Sequence, residues 1–385
     1  MNILKKAVMK IVKNGNLFEN KRLLSLEKSN YYMLIDSLVS RDINKDFNVN
    51  FNNPMDIFYT DIWTNMQYVL PHNKFEPVRN SEELCDVVVT MGIGFYEQQV
   101  DAMRLCQLNN IPLIICEDGF LRSATTFADR KADEKYYHGI SFVFDNLSPY
   151  FDATRPSLLE NMLNDKNLII NEEQVQTSRK LIDLIIEKKL SKYNHQPIYA
   201  PSIGKRNKKV LVVDQSYGDA AIIKGNANDK TFADMLNSAI RENPDADIII
   251  KTHPDTNCGF RSGYFVNEKE HDNIYLMKEP INPISLIQYV DKIYVCTTQL
   301  GLEALMCGKE VHVFGMPFYA GWGLANERQT LKRRNNKRTL EEFFYITYIL
   351  YSRYFNPDTR KPCEIEEAIE YLLKIRQEYF QKYNV

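Results

Sequence analysis

The sequence predicts two α/β domains, each a doubly wound sheet of parallel strands, joined by a polar linker and facing a shared cleft. Three observations carry this. Short continuous apolar runs alternate with stretches of helical periodicity, as in sheets covered by helices on both faces. The alternation occurs twice, on either side of a polar stretch at 191–209 that holds two prolines. The 385 residues also exceed what one ordinary core organises.

Residues 1–50 read as a polar helical extension. Within them Ile3, Leu4, Val8, Ile11 and Val12 recur at roughly helical spacing, with Lys5, Lys6, Lys10 and Lys13 between. Such a basic amphipathic helix can lie on an anionic membrane. A surface helix packed on its own domain is the plainer reading. Strands are expected over 54–59 (PMDIFY), 86–90 (DVVVT) and 111–116 (IPLIIC), with a helix over 96–109 and one more strand over 142–145. A helix over 171–190 carries Leu181, Ile182, Ile185 and Ile186 on its apolar face.

After the linker the alternation restarts. Strands are expected over 210–214, 247–251, 274–277, 292–296 and 310–314, and helices over 231–243, 283–289 and 300–307. Helices over 339–352 and 365–379 close the chain. The domains expected are 1–195, 196–340 and a helical segment, 341–385, packing across both.

Composition narrows the function classes. Apolar residues make up 44% and charged residues 25%, ordinary for a globular protein. A formal net charge of -2 leaves no polyanion footprint, so nucleic acid is not an expected partner. Seven cysteines include no C-x-x-C pair, and Cys116 and Cys296 sit inside strand-like runs. They read as reduced, buried thiols of a cytoplasmic protein rather than disulfides or zinc ligands. No apolar run is long enough to span a membrane, and the N-terminus carries no signal-peptide apolar region.

Five clusters carry candidate chemistry. Asp214-Gln215-Ser216-Tyr217-Gly218-Asp219 follows the strand over 210–214, where open α/β sheets place their ligands. Asp219 could be a nucleophile, a general base or a positioning group, or simply a helix N-cap. Lys251-Thr252-His253-Pro254-Asp255 also leaves a strand. The proline holds His253 on an extended turn, and Lys251 and His253 could both donate to a phosphate.

Thr297, Thr298, Gln299 and Glu303 surround an expected helix start, a place for an anion and for a carboxylate on sugar hydroxyls; an ordinary capped helix is the competing view. Glu117-Asp118-Gly119-Phe120-Leu121-Arg122 leaves the strand over 111–116, either facing a cleft or forming a salt-bridged turn. The glycine- and aromatic-rich stretch around Tyr319 (314–323) suits a sugar-binding loop or a packed crossover. The basic run Lys332, Arg333, Arg334, Lys337 and Arg338 reads as a solvated face, with anionic acceptors or lipid headgroups as alternative partners. No phosphate-binding P-loop, dinucleotide fingerprint, zinc spacing or serine-hydrolase elbow occurs, which argues against kinases, dehydrogenases and serine hydrolases of the usual types.

EDGFLRS at 117–123, DQSYGDA at 214–220, KTHPD at 251–255, TTQLGLEALMCGK at 297–309 and FGMPFYAGWG at 314–323 together resemble the bacterial capsule polysaccharide synthesis family, in particular its β-Kdo transferases. YILYSRYFNPDT at 348–359 fits the same likeness, which covers roughly residues 85–360. The resemblance implies a GT-B-like fold, with an acceptor-side N-terminal domain and a nucleotide-sugar-binding domain after it. It implies transfer of β-Kdo, with retention, from CMP-Kdo to a glycan or lipid-linked acceptor. By likeness, Asp219 attacks the anomeric carbon and Glu117 is the acid/base. Lys251, His253, Thr297 and Thr298 hold the phosphate, and Glu303 binds ribose. Gln215, Gly218, Gln299, Arg122 and Tyr319 complete the expected binding set.

No metal or other cofactor is expected, since a monophosphate leaving group needs a metal less than a diphosphate and no Asp-x-Asp motif occurs. The place implied is the cytoplasm, with peripheral contact to the inner membrane through residues 1–13. Well-known members carry two such modules in tandem, whereas this chain has one. Other donors (another CMP-sugar or a UDP-sugar) and a non-catalytic role in capsule assembly or export are the alternative readings.

Overall fold

The computed structural model describes residues 56–59, 74–77, 87–92, 104, 106–109, 111–126, 129, 131–253, 256 and 261–385. The basic stretch at 1–13 and most of the helix expected over 96–109 lie outside them. Two units are present: Met1–Arg122 with His138–Pro149 and Tyr351–Tyr371, and Ser123–Tyr137 with Tyr150–Leu350 and Leu372–Val385.

The first unit opens with β1 (Asp56–Tyr59), β2 (Lys74–Pro77), β3 (Val87–Met91), β4 (Leu113–Asp118) and β5 (Ser141–Asp145). Val87, Val88, Val89, Ile114, Ile115 and Cys116 are all buried. The β-branched residues suit an extended backbone and favour burial on both faces of the sheet.

The second unit supplies α1 (Glu134–Tyr137), α2 (Leu158–Asn164) and α3 (Glu172–Glu187). The last two start where sequence chemistry says they should. Ser157 accepts from Glu160 N–H, and Asn171 and Gln174 form a reciprocal capping box. Then come β6 (Lys209–Val213), α4 (Ala220–Lys224), α5 (Asp229–Glu242), β7 (Asp247–Lys251) and β8 (Ile274–Met277). They are followed by α6 (Pro283–Tyr289), β9 (Lys292–Val295), α7 (Leu300–Met306), β10 (Glu310–Val313) and β11 (Asn326–Glu327).

The six strands of this unit are all parallel, in the order β11-β10-β9-β6-β7-β8. The chain starts at β6, winds outward through β7 and β8, then returns to β9 on the other flank of β6. That is the doubly wound arrangement, and its direction reverses between β6 and β9, where ligands of such sheets bind. Val210, Val212, Ile222, Phe232, Met235, Ile248, Ile250, Tyr294 and Phe314 form the core on one side.

The end of the chain keeps the two expected helical stretches and adds two strands between them. α8 (Leu340–Phe344) and a π-helical stretch, Tyr345–Tyr351, give way to β12 (Ser352–Asn356) and β13 (Lys361–Cys363) before α9 (Ile365–Tyr383). β12 returns to the first unit and pairs antiparallel with β5. The first sheet is therefore mixed rather than parallel throughout. Its order is β13-β12-β5-β4-β3-β1-β2, with β4–β5, β5–β12 and β12–β13 antiparallel. The division also departs from the boundary expected at 195, because the 150–195 segment belongs to the unit of the second sheet. Among the described residues no helix is long and apolar enough to cross a membrane.

Candidate active site

The loop leaving β6 is built by turn chemistry. Asp219 N–H donates to Ser216 O at 3.2 Å, closing a four-residue turn with Gly218 third at φ +80°. A third-position residue with positive φ is what a type II turn requires, and glycine takes it without strain. A Cβ at Gly218 would meet no atom within 4 Å, so the backbone angle and not crowding calls for glycine. Asp219 then caps α4, its Oδ1 accepting from Ala221 N–H at 2.9 Å. The carboxylate is half-buried at the carboxyl edge of the sheet. The N-cap reading of Asp219 is thus met.

Gln215 does something the sequence did not suggest. Its Oε1 accepts from Thr297 N–H at 2.9 Å and its Nε2 donates to Thr297 Oγ1 at 3.0 Å. β6 and β9 are sheet neighbours, so this two-point clamp bridges the exits of both strands at the reversal point. Both residues are buried. Gln215 and Thr297 therefore bond to each other at the place where they were expected to hold a ligand.

Lys251 ends β7 and is 7% exposed. Its Nζ donates to Glu279 O at 3.0 Å, with Met277 O at 3.5 Å. Burial pulls its pKa down to about 8, partly opposed by the Glu279 carboxylate. Two residues on, His253 Nδ1 lies 3.0 Å from Ser216 Oγ. Pro254 and Asp255 fall outside the described residues. Asp214, behind the turn, accepts on Oδ1 from Gln215 and Tyr264 N–H groups, both at 2.9 Å. Burial raises its pKa against those bonds.

The start of α7 is not the open anion site expected. The helix has seven residues. Its first amides are already bonded: Leu300 N–H to Thr298 Oγ1, Gly301 N–H to Thr298 O and Leu302 N–H to Gln299 O. So short a helix also sums few peptide dipoles. Gln299 Nε2 donates to Glu303 Oε1 at 3.3 Å, and Ser191 Oγ donates to the same oxygen at 2.7 Å. Glu303, expected to bind ribose, is 4% exposed, and burial raises its pKa against the Ser191 bond and the Lys192 amide. Tyr319 is wholly buried and donates to Thr298 O at 2.8 Å, anchoring the turn into α7.

In the first unit, Glu117 and Asp118 end β4, opposite Val143 and Phe142 of β5. Both are half-buried. Arg122 is buried, and its Nε lies 2.7 Å from Asp118 Oδ2, the salt-bridged turn foreseen as the alternative.

Of the basic run at 332–338, Lys332 and Lys337 are exposed as a solvated face would have them, but the three arginines are not. Arg334, its side chain 2% exposed, pairs with Glu160 Oε2 at 2.8 Å and donates to Pro317 O and Ala320 O. Arg333 pairs with the same carboxylate, and Arg338 donates to Leu163 O, Asp165 O and Leu168 O. Each guanidinium reaches several carbonyls at once through its planar fork, which a lysine's point charge could not do. Sequence reasoning also missed Ser191 and Ser216. Neither stands out by type or spacing, and the Ser216–His253 contact spans two strand exits.

Comparison with known proteins fits this architecture. The family model described as capsule polysaccharide biosynthesis protein matches residues 197–356. The capsule polysaccharide modification protein LipA of Neisseria meningitidis serogroup A is 39% identical over 300 residues, which is 74% of this chain and 41% of LipA. The chain thus spans less than half the length of that relative. The lipopolysaccharide-processing protein LpsZ of Rhizobium meliloti is 37% identical over 264 residues, 68% of this chain and 58% of LpsZ.

Among solved structures, the KpsC β-Kdo 2,4 transferase of Thermosulfurimonas dismutans superposes with a TM-score of 0.74 at 35% identity, covering 83% of this chain and 98% of that one. The KpsC β-Kdo 2,7 transferase of the same organism gives 0.59 at 25% identity, covering 83% and 99%. The likeness bears out the α/β, GT-B-like fold class. On these matches the chain belongs to the capsule polysaccharide biosynthesis family.

Proposed function

We propose that the chain is a retaining glycosyltransferase that moves β-Kdo from CMP-Kdo to a glycan or glycolipid acceptor in capsule or surface polysaccharide synthesis. The observation that carries this is the likeness to a KpsC β-Kdo 2,4 transferase along nearly the whole of that structure. The site supplies a chemistry to match. Asp219 stands on a glycine turn at the carboxyl edge of the sheet, with the His253 ring fastened to the same turn.

In the first step Asp219 attacks the anomeric carbon, the bond to the phosphate oxygen breaks, and CMP leaves with the electron pair. His253 and the Lys251 ammonium stabilise the charge that grows on the phosphate. In the second step an acceptor hydroxyl displaces Asp219 and loses its proton to a base. Two inversions give net retention. Glu117 is the candidate for that base through the family likeness, and Glu117→Gln tests it by loss of transfer with CMP binding kept.

We also propose that turnover needs no metal. Undiminished transfer in EDTA is the expected result, and an absolute need for Mg²⁺ or Mn²⁺ would refute it. Cys116 and Cys296 are buried as small apolar side chains, which supports the cytoplasm as the proposed setting, where a nucleotide-sugar donor would meet the enzyme. Residues 1–13 are the proposed contact with the inner membrane, and liposome flotation of a chain lacking them checks this.

The deciding experiment supplies the purified protein with a CMP-Kdo generating system and a synthetic glycolipid acceptor, read by mass spectrometry. A gain of one Kdo is expected. No gain with CMP binding intact would move the proposal to another CMP-sugar, and no CMP binding would overturn the donor assignment.

A further inference from the structure

We infer that Ser216 is a positioning residue that fixes the His253 imidazole and the Asp219 carboxylate relative to each other. The inference rests on the transferase reading above, in which His253 holds the donor phosphate and Asp219 attacks the sugar.

Ser216 is bonded at three points. Its carbonyl accepts the Asp219 N–H at 3.2 Å, which closes the turn that presents the carboxylate. Its hydroxyl lies 3.0 Å from Nδ1 of His253, at the exit of the neighbouring strand. Its backbone forms an antiparallel bridge with Gly263, and the next amide, Tyr217 N–H, donates to Ser262 O at 2.7 Å. Gly263 permits that close approach, since a Cβ there would lie 2.1 Å from Asp214 Oδ2. Ser216 is 3% exposed, so its hydroxyl does not exchange freely between the ring and bulk water.

The consequence for His253 follows from imidazole chemistry. In the neutral ring one nitrogen donates and the other accepts. With the hydroxyl assigned as the donor to Nδ1, the ring takes the form protonated on Nε2 and leaves that N–H to meet a phosphate oxygen. Replacing Ser216 by alanine removes the hydroxyl alone. The carbonyl that holds Asp219 is backbone and stays in place. The two functions of the residue can therefore be separated.

The test uses full-length protein and CMP. Long-range nitrogen–proton NMR reports the tautomer of each of the six histidines, with His253→Ala assigning the signal. Wild-type His253 is expected as the Nε2–H form. Ser216→Ala is expected to mix the two forms and to weaken CMP binding about five- to tenfold, the usual net worth of one neutral hydrogen bond. In a His253→Ala background the same substitution should change CMP affinity less than twofold, because a residue acting through the ring has nothing left to act on.

Unchanged His253 nitrogen shifts in Ser216→Ala would overturn the inference. So would a full loss of affinity repeated in the His253→Ala background. Failure of the wild type to bind CMP would sink the transferase reading instead, while the tautomer measurement would still decide the role of Ser216. Circular dichroism of Ser216→Ala checks that the fold is retained.

Discussion

Gly301→Ala is a perturbation for which two physical arguments predict opposite signs. Gly301 is the second residue of α7, and on helix propensity alone alanine would stabilise the protein by about 1 kcal/mol. The surroundings say otherwise. A Cβ at this position would lie 2.1 Å from the hydroxyl oxygen of Tyr319, 2.7 Å from its Cζ and 3.0 Å from Val295 Cγ2. Tyr319 is wholly buried, and its hydroxyl holds Thr298 O. Either the ring moves or the helix does. Overpacking of this kind costs about 1–3 kcal/mol, and a buried hydroxyl pushed off its partner about 1–3 more. After the propensity gain, a net destabilisation of about 1–5 kcal/mol is expected by urea unfolding. Tyr319→Phe removes the nearest clashing atom, so the double variant should lose at least about 1 kcal/mol less than the two single losses together. CMP affinity should fall with Gly301→Ala, because Thr297 and Thr298 lead into the displaced helix. A neutral or stabilised Gly301→Ala would show that crowding by Tyr319 does not set this position.

Other outcomes can be stated more briefly. Lys251, with its pKa lowered by burial to about 8, is cationic below that pH and neutral above it. CMP affinity measured by calorimetry should therefore fall as pH rises through about 8, by at most tenfold per unit, and Lys251→Met should flatten the profile. Between about 8 and the ordinary lysine value the unfolded chain binds the extra proton, so stability should rise with pH over that window. Glu160→Ala leaves the buried Arg334 without its carboxylate, and chemical denaturation should register a loss of about 3–5 kcal/mol; a loss under about 1 kcal/mol would refute the pairing's importance. Asp219→Ala should abolish sugar transfer while keeping CMP binding, with a helix-cap cost of about 1 kcal/mol. Transfer retained at near wild-type rate would exclude it as the nucleophile.

Some of this was legible in the amino-acid order and some was not. The strands over 247–251 and 274–277 and the helix over 283–289 appear with the expected limits. Continuous β-branched runs, and a proline at the first helical position after Asn282, declare themselves locally. β12 did not, because its place is decided by β5, some 200 residues earlier in the chain. The helix read over 339–352 is helical as far as Tyr351, and pairing with a distant edge makes a strand of Ser352 and the four residues after it, for which no element was expected. β2 and β11 are short and lack an apolar run, so nothing marked them. The ligand-type residues were located correctly at strand exits. What they bond to was beyond reach, since a glutamine's spacing cannot say whether its amide meets a substrate or, as Gln215 does, a neighbouring threonine.

That last distinction bears on how the motif works. Gln215 clamps Thr297 across the reversal point, Tyr319 holds Thr298, and Ser191 and Gln299 occupy Glu303. The bonds from Gln215, Tyr319 and Ser191 each tie one strand exit, or the helix after it, to a separate piece of chain. Doubly wound sheets leave a crevice where their winding reverses, and its walls are loops that would otherwise be loosely defined. Transition-state stabilisation needs donors and carboxylates fixed before the substrate arrives, because groups that must reorganise lose much of their electrostatic worth. The family motif is therefore best understood as two interleaved sets. In the proposed reading Asp219, His253 and Lys251 act on the ligand, while Gln215, Tyr319 and Ser191 bond to the chain around the reversal point and fix the loops that form it.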